Sequence, residues 1–369
     1  MSRFRKERLT SYAPYTPGEQ PKDMEFIKLN TNESPYPPAP RVLDAIKSED
    51  LEKLRLYPDP DQGLLLDAIL AGLREDGVNL GRNNIMVSNG SDDIINFAFL
   101  AYAGDGVKAV YPDVTYGFYD VFSNFQNVEK KLVPLKDDFS IDPADYIFEE
   151  RSFIVIANPN APTGKALSLD EIELIVSKNP ESVVLIDEAY IDFGGETAAG
   201  LIPKYDNLLV SRTFSKSASL AGARLGFALG NEELINDLKV IKDSTNPYAV
   251  NRMTALVGIA AMEECGYYKG NCKMIAETRD LITVELRNLG LNVIDSSANF
   301  LMVGTGSSTE DPSWQSISGE ELYLALKERG ILVRWFSKDR IKDYVRISIG
   351  LPKDMRRLMD ELVNIKMRG

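Results

Sequence analysis

Short apolar runs alternate with helical patterns along the middle of this chain, and that alternation is the feature that most constrains its fold. Helical patterns such as Ser91–Tyr102 and Ser168–Lys178 separate several of the runs. We predict strands at Asn84–Ser88, Val107–Tyr111, Phe153–Ala157, Val183–Asp187, Leu208–Arg212 and Leu225–Leu229. Because these strands are continuously apolar and joined by helices, they predict a mostly parallel sheet that is covered on both faces. Sheets of this kind bind ligands at the carboxyl ends of their strands.

The pattern changes after about residue 245, where two long helical patterns precede shorter strands and a closing helix. The strand candidates there are Asn299–Val303, Ile331–Arg334 and Val345–Ile349. We therefore predict an α/β chain in which residues 45–245 form a large domain on a mostly parallel mixed sheet flanked by helices. Residues 246–369 are predicted to form a smaller α+β domain, and residues 1–44 an N-terminal arm that contributes part of it.

The chain contains no histidine among its 369 residues. A Ser-His-Asp triad, a Cys-His pair and a His-ligated metal site are therefore excluded, and we predict no metal site. Acid–base chemistry must then depend on Lys, Asp, Glu, Tyr, Cys or a cofactor. The 42 basic and 55 acidic residues give a net charge of −13, which argues against nucleic acid as a partner.

Three further features predict a cytoplasmic protein. Cys265 and Cys272 match neither a CxxC motif nor a disulfide framework, which fits a reducing cytosol. No apolar run follows the basic N-terminus, so this segment does not resemble a signal peptide. No apolar stretch approaches the ~18 residues that a membrane-spanning helix needs, and we predict no membrane partner.

Three strand-exit segments are candidate parts of a binding site. Ser91 and Asp92 open a helix directly after a glycine, where free backbone N–H groups attract anions, although such residues also serve as simple caps. Asp187 ends the apolar strand Val183–Ile186, where it is either exposed at the strand end or buried, and a buried carboxylate there needs a partner such as a cationic ligand. The loop Ala157–Gly164 holds two prolines and a glycine, and is equally consistent with a rigid turn.

A fourth segment, Ser211–Gly226, adds hydroxyls, a lysine and an arginine at the end of another strand. Lysine forms Schiff bases with carbonyl groups, and hydroxyls together with arginine suit a phosphate. Asp187, Lys216 and Arg224 thus follow one another on successive elements of the predicted sheet. Pyridoxal 5'-phosphate (PLP) needs a lysine for its aldehyde, a carboxylate for its pyridine nitrogen and an anion cradle for its phosphate. The order of these residues therefore predicts PLP as the cofactor.

Together, these motifs resemble those of the fold-type I PLP-dependent aminotransferases, and most closely those of the class II subfamily of histidinol-phosphate aminotransferases. The resemblance extends from Leu29–Glu33 to Tyr344–Gly350, and Ser215–Gly226 is its most specific part. It implies an enzyme of histidine biosynthesis that transfers an amino group between histidinol phosphate and 2-oxoglutarate or glutamate. A small-molecule amino donor and a keto acid are then its partners.

The resemblance also implies roles for single residues around the cofactor. Lys216 would bond the aldehyde, Asp187 would pair with the pyridine nitrogen, and Tyr190 would bond the ring hydroxyl. Tyr116 matches an aromatic residue that stacks on the ring. Tyr57 matches a tyrosine that reaches the phosphate from a partner subunit, which implies a homodimer with shared active sites. The implied phosphate ligands are Ser91, Asp92, Thr213, Ser215 and Arg224.

One loop departs from the family pattern. The family reads Asn-Asn-Pro-Thr-Gly there, and its second Asn touches the ring hydroxyl, whereas this chain has Ala161. Either Asn160 replaces that contact, or Tyr190 alone bonds the hydroxyl.

Substrate contacts are implied at four positions by the same resemblance. Arg346 matches the residue that aligns the carboxylate of amino-acid substrates, and Arg334 matches one that binds the phosphate of histidinol phosphate. Tyr15, in the N-terminal arm, matches a tyrosine that closes over the substrate, and Asn32 lies in the first matching motif.

Other functions remain open on the sequence alone. An aromatic or broad-specificity aminotransferase and a PLP-dependent decarboxylase of a phosphorylated amino acid share these motifs, because small changes in a pocket set specificity. A non-catalytic aminotransferase-like module that binds an effector is an alternative of a different class. The complete set of Asp187, Lys216 and Arg224 argues against that module.

Overall fold

The computed structural model describes residues 4, 14–21, 25–148 and 150–367. Its strands are β1 (Ile27–Lys28), β2 (Ile85–Ser88), β3 (Lys108–Pro112), β4 (Lys130–Val133), β5 (Ser152–Ala157), β6 (Val183–Asp187), β7 (Leu208–Thr213), β8 (Gly226–Gly230), β9 (Asn292–Ile294), β10 (Phe300–Gly304), β11 (Ile331–Leu332), β12 (Arg334–Trp335) and β13 (Tyr344–Ser348). Its helices are α1 (Pro40–Leu43), α2 (Ser48–Glu52), α3 (Gly63–Glu75), α4 (Ser91–Tyr102), α5 (Gly117–Gln126), α6 (Leu169–Lys178), α7 (Glu232–Thr245), α8 (Arg252–Glu263), α9 (Cys265–Asn288), α10 (Pro312–Gln315), α11 (Gly319–Glu328) and α12 (Pro352–Lys366). Within the described ranges, no helix combines the length and the apolar character that crossing a membrane requires.

The larger sheet has seven strands in the order β2-β8-β7-β6-β5-β3-β4. Strands β7, β6, β5, β3 and β4 pair in parallel, whereas β8 pairs antiparallel with both β7 and β2. The sheet is therefore mostly parallel, as the sequence predicts. Because β2, β5, β6 and β7 run in the same direction, their carboxyl ends meet at one edge of the sheet.

Successive residues of the central strands pack into opposite layers. In β5, Phe153 and Val155 join the apolar cluster of α4, α5 and α7, whereas Ile154 and Ile156 join the cluster of α3, α6 and α8. All residues of β5 are buried. A strand with apolar neighbours on both faces has no need for polar alternation, which explains why these runs are continuously apolar.

The smaller sheet is antiparallel, in the order β12-β13-β10-β9, and it shares an apolar cluster with α9, α11 and α12. The N-terminal strand β1 pairs in parallel with β11, so this part of the N-terminal arm lies beside the C-terminal part of the chain. The predicted boundaries at residues 45 and 245 stay a prediction.

The structure adds strands β1, β4 and β9 to those that the sequence predicts, and it divides one predicted strand in two. The edge strand β4 is absent from the sequence prediction, because Lys130 and Lys131 interrupt the apolar pattern; charged residues are typical of edge strands. The single strand predicted at Ile331–Arg334 is two strands, since β11 pairs with β1 and β12 pairs with β13. This break at Val333 places Arg334 in the four-stranded sheet, opposite Arg346.

Candidate active site

A cavity of about 430 Å³ lies at the carboxyl edge of the larger sheet, between the N-terminal segment and the smaller sheet. The structure brings most of the predicted site residues together around it. Those that line the cavity are Tyr15, Ser91, Asp92, Tyr116, Asp187, Tyr190, Thr213, Ser215, Lys216, Arg224, Arg334 and Arg346.

Lys216 follows the end of β7 and presents its amine to the cavity. Its Nζ donates a hydrogen bond of 3.0 Å to the backbone carbonyl of Thr31, and lies 5.7 Å from the centre of the Tyr190 ring. No carboxylate of the described residues forms an ion pair with Lys216. The amine is therefore held by one neutral acceptor in the cavity, which suits a group that reacts with a carbonyl.

Asp187 ends β6 as a buried carboxylate with two neutral side-chain donors. Tyr119 donates from its hydroxyl to Oδ2 at 2.9 Å, and Ser211, its register partner in β7, donates to Oδ1 at 3.0 Å. Burial raises the pKa of Asp187 to about 6, although these hydrogen bonds favour the ionised form. No cationic side chain among the described residues pairs with Asp187, so the site is short of one positive charge.

An anion cradle lies beside Asp187 at the N-terminus of α4. Gly90 precedes the helix with φ +89°, and a Cβ there would lie 2.7 Å from Nη2 of Arg224. Arg224 Nη2 contacts Asp92 Oδ2 at 3.0 Å. Thr213 Oγ1 donates to Ser215 Oγ at 3.0 Å. Helix N–H groups, two hydroxyls and a guanidinium thus converge, and this combination binds phosphate.

Aromatic rings form one wall of the cavity. The Tyr116 hydroxyl donates to Asp92 Oδ1 at 2.9 Å, which fixes the ring beside the anion cradle. Tyr15 stacks on Phe118 with ring centres 4.2 Å apart and lies 6.4 Å from the Tyr116 ring. The wall therefore offers flat apolar faces to a planar ligand.

Two arginines close the opposite side, and they face each other in the register of β12 and β13. Arg346 donates from Nη2 to the carbonyl of Asn30 at 3.0 Å, while its buried Nε has no hydrogen-bond partner. Burial lowers the pKa of Arg346. Arg334 donates to the carbonyls of Thr16 and Pro17 at 3.0 and 3.2 Å. Among the described residues neither arginine has a carboxylate partner, so both are available to anionic ligands.

These groups fit PLP as a cofactor. Lys216 provides an amine for the aldehyde, and the unpaired buried carboxylate of Asp187 matches a protonated pyridine nitrogen. The cradle around Arg224 matches a phosphate. The backbone at Gly90 approaches Arg224 so closely that a side chain at this position would clash with the guanidinium. Among the described residues there is no cluster of three or more Cys, Asp or Glu side chains that could hold a metal ion.

Three predicted residues lie outside the cavity lining. The buried amide of Asn160 is engaged by the Thr115 hydroxyl, the Val114 carbonyl and the Thr163 hydroxyl. Asn32 lies behind the cavity, where its amide donates to the Tyr190 hydroxyl at 3.0 Å. Tyr57 is 78% exposed and stacks on Tyr248, and neither ring lines the cavity of its own chain.

The sequence interpretation missed Tyr119 and Ser211, the two residues that hold the Asp187 carboxylate. Ser211 was predictable in principle, because it directly follows the apolar residues 208–210 of β7, a strand that pairs in parallel with β6. Tyr119 lies in the first turn of α5, three residues after the N-cap Tyr116, and the centres of the two rings are 5.7 Å apart. Its pairing with Asp187 depends on how α5 packs on the sheet, which no local pattern in the sequence indicates.

Comparisons with known proteins agree with this geometry. The model of the family described as aminotransferase class I and II matches residues 24–362. A histidinol-phosphate aminotransferase of Brachyspira hyodysenteriae is 48% identical over 356 residues, which cover 96% of each chain. One of Clostridium acetobutylicum is 43% identical and covers 98% of this chain and 99% of its own. The solved structure of histidinol-phosphate aminotransferase from Sinorhizobium meliloti in complex with pyridoxal-5'-phosphate is similar, with a TM-score of 0.85 at 23% identity over 100% of this chain and 99% of that chain. This likeness confirms the predicted fold class.

Proposed function

Since the chain belongs to the family of class I and II aminotransferases, we propose that it transfers an amino group between histidinol phosphate and 2-oxoglutarate or glutamate, with PLP as cofactor. The pairing of Arg334 with Arg346 across β12 and β13 is the observation that carries this proposal. Two adjacent guanidiniums without carboxylate partners among the described residues suit a site that must accept a phosphate in one half-reaction and a dicarboxylate in the other.

Different side chains at the carboxyl edge of the larger sheet hold different parts of the cofactor. When bound, PLP supplies an aldehyde that takes up the amino group and a ring that takes up the electron pair left by the α-proton. Asp187 keeps a proton on the ring nitrogen, because a buried carboxylate without another cation favours one there. Arg224, Thr213 and Ser215, with the N-terminus of α4, hold the phosphate.

Lys216 is the group that moves the proton. Its Nζ hydrogen-bonds the neutral carbonyl of Thr31, so the amine can leave that position and approach the substrate α-carbon. It acts there first as general base and then as general acid. Tyr15 and Tyr116 cover the same space with their rings and exclude water from it.

We also propose a homodimer that shares its two active sites. Tyr57 is exposed and does not line its own cavity. Apolar side chains close to it in the sequence are exposed as well, namely Leu43, Leu51, Leu54, Leu56 and Leu64. An exposed apolar surface of this kind is typical of an interface. In a two-fold dimer, the same surface on each copy meets its counterpart, which would let Tyr57 serve the partner's phosphate cradle.

A complementation experiment tests the dimer. Tyr57→Phe removes one hydrogen bond to the phosphate and should weaken PLP binding about tenfold. Mixing it with Lys216→Ala should restore tight binding and activity at one site per dimer, since that site combines Lys216 of one copy with Tyr57 of the other. A chain that sediments as a monomer while binding PLP tightly would contradict the proposal.

Half-transamination tests the substrate. The PLP-loaded protein is mixed in turn with histidinol phosphate, glutamate, phenylalanine and threonine phosphate, and the loss of the cofactor's visible absorbance is followed. We expect histidinol phosphate and glutamate to react fastest. A preference for phenylalanine would instead indicate an aromatic aminotransferase, and release of carbon dioxide from threonine phosphate would indicate a decarboxylase.

A further inference from the structure

Asn32 has an unusual conformation that is held from the smaller sheet. Its φ of +56° lies in the left-handed region, which residues other than glycine seldom adopt, and its side chain is buried. Ser348, the last residue of β13, makes two hydrogen bonds to it. The Ser348 hydroxyl accepts from the Asn32 backbone N–H at 2.9 Å and donates to Asn32 Oδ1 at 2.9 Å. Asn299 adds a third bond, to the Asn32 carbonyl.

These bonds decide which end of the Asn32 amide faces Tyr190. Because Oδ1 accepts from Ser348, the amide nitrogen points the other way and lies 3.0 Å from the Tyr190 hydroxyl. An amide nitrogen can only donate a hydrogen bond. The Tyr190 oxygen is therefore the acceptor in this pair, and its own proton is left for an acceptor in the cavity that Tyr190 lines.

We infer that Ser348 is a positioning residue that directs the Tyr190 hydroxyl proton into the cavity by fixing the orientation of the Asn32 amide. Ser348 does not line the cavity, so it acts through Asn32 alone. The inference rests on the proposed function, in which the Tyr190 hydroxyl bonds the cofactor's ring oxygen. It deepens that function by assigning the smaller sheet a part in the cofactor's hydrogen bonding.

Strand β13 carries both Ser348 and the substrate-side residue Arg346. Arg346 lies two residues before Ser348 in β13, and its guanidinium bonds the carbonyl of Asn30. The backbone from Asn30 to Asn32 thus accepts hydrogen bonds from Arg346 at Asn30 and from Lys216 at Thr31, and donates one from Asn32 to the Ser348 hydroxyl. A shift of β13 against this backbone would change the Tyr190 contact as well as the arginine contact.

Removing the Ser348 hydroxyl frees the Asn32 amide to turn over. In Ser348→Ala, Oδ1 of Asn32 loses its donor and can accept from Tyr190, which withdraws the tyrosine proton from the cavity. A hydrogen bond to the cofactor's ring oxygen stabilises negative charge there, so its loss makes the bound cofactor hold its proton to higher pH. The pH midpoint of the cofactor's absorbance change should rise by about 0.5 to 1 unit.

The experiment is a pH titration of the visible absorbance of four PLP-loaded proteins: the natural chain, Ser348→Ala, Tyr190→Phe and the double variant. We expect both single variants to raise the midpoint and the double variant to match Tyr190→Phe, since Ser348 acts through that hydroxyl. Ser348→Thr keeps a hydroxyl and should return the midpoint towards that of the natural chain.

Ser296→Ala is the matched control. The Ser296 hydroxyl also makes one donor and one acceptor bond, to Phe300 and from Ala298, but it contacts neither Asn32 nor Tyr190. The pH midpoint of the absorbance change in Ser296→Ala should equal that of the natural chain. Shifts of Ser348→Ala and Tyr190→Phe that add up in the double variant, or a Ser348→Ala midpoint equal to the natural one, would overturn the inference alone. A natural chain that binds no PLP would overturn the proposed function together with it.

Discussion

The two sides of the cavity are built in different ways. On the side of the larger sheet, Asp187 and Ser211 face each other in the register of two parallel strands, and the Ser211 hydroxyl donates to the Asp187 carboxylate. On the side of the smaller sheet, Arg334 and Arg346 are held by backbone carbonyls of the N-terminal segment. The first arrangement is fixed by strand pairing, whereas the second can exchange a carbonyl for a ligand anion.

This difference in how the residues are held fits a difference in role, between residues that carry out the reaction and residues that select the substrate. A carboxylate in a parallel sheet cannot move without disturbing its strand, which suits a group that must stay under a cofactor ring. A guanidinium on a carbonyl can donate to an incoming carboxylate or phosphate, because that bond is charge-assisted and stronger. We therefore expect changes of Lys216 or Asp187 to remove catalysis, and changes of Arg334 or Arg346 to alter substrate preference.

The largest expected effect is at Lys216. Lys216→Ala removes both the amine for the aldehyde and the base that moves the proton, so turnover should fall by about 10⁴-fold or more. Borohydride treatment of the natural chain followed by peptide mapping should place the cofactor on Lys216. Lys353→Ala, an exposed lysine of α12, is the control and should keep full turnover. A label on another lysine would refute the assignment.

Asp187→Asn comes next, with an expected loss of about 10²- to 10³-fold, since the amide cannot pair with a protonated ring nitrogen. The cofactor-free variant should at the same time be more stable than the natural chain. Burial raises the pKa of Asp187 from 3.8 to about 6, so the ionised carboxyl costs folding free energy at neutral pH.

The stability difference between Asp187→Asn and the natural chain should depend on pH, because the pKa of Asp187 is raised in the folded state. A carboxyl whose folded pKa is raised has no penalty below its unfolded pKa and the full penalty above its folded pKa. The stability advantage of Asp187→Asn should therefore shrink by about 1 kcal/mol between pH 8 and pH 5, measured by urea unfolding without PLP. Equal advantages at both pH values would mean that Asp187 is not buried as an ionised group.

The same division explains what the sequence could predict. Strands of a parallel sheet share one direction, so the apolar pattern alone predicts that Asp187 and Lys216 lie at a common edge, and both line the cavity there. The contacts of the loop with Asn160 and Ala161 were less predictable from the sequence. The loop sequence allows Asn160 to reach the ring hydroxyl, but the folded chain uses its amide for Thr115, Val114 and Thr163.

The smaller-sheet side is less predictable, because its contacts join distant parts of the chain. The position of Arg334 depends on a break between β11 and β12 that no local pattern marks. The bond between Asn32 and Ser348 joins residues at opposite ends of the chain. Such contacts arise from packing and have no sequence periodicity, so only the family resemblance identifies Arg334 and Arg346.

Arg334→Leu tests substrate selection and should have an intermediate effect. Losing a charge-assisted phosphate contact costs about 1.5–3 kcal/mol, or roughly ten- to a hundredfold in kcat/KM for histidinol phosphate. Phenylalanine, which has no side-chain anion, should lose far less. Arg340→Leu is the control, because Arg340 bonds Asp113 outside the cavity and should affect both donors alike. Equal losses in Arg334→Leu would favour a broad-specificity aminotransferase.

The smallest effect should come from a change of Glu19, which connects the N-terminal segment that carries Tyr15 to helix α11. Its carboxylate accepts from the Tyr323 hydroxyl at 2.6 Å and pairs with Lys327, and these contacts lower its pKa. Exposed ion pairs contribute little, so Glu19→Gln should raise KM for the amino donor about two- to threefold and leave kcat unchanged. Glu173→Gln is a close control, because Glu173 contacts Tyr205 and Lys204 in the same way on α6, remote from the cavity. If both variants change KM equally, the effect is one of surface charge, and the N-terminal segment has no separate part in holding the substrate.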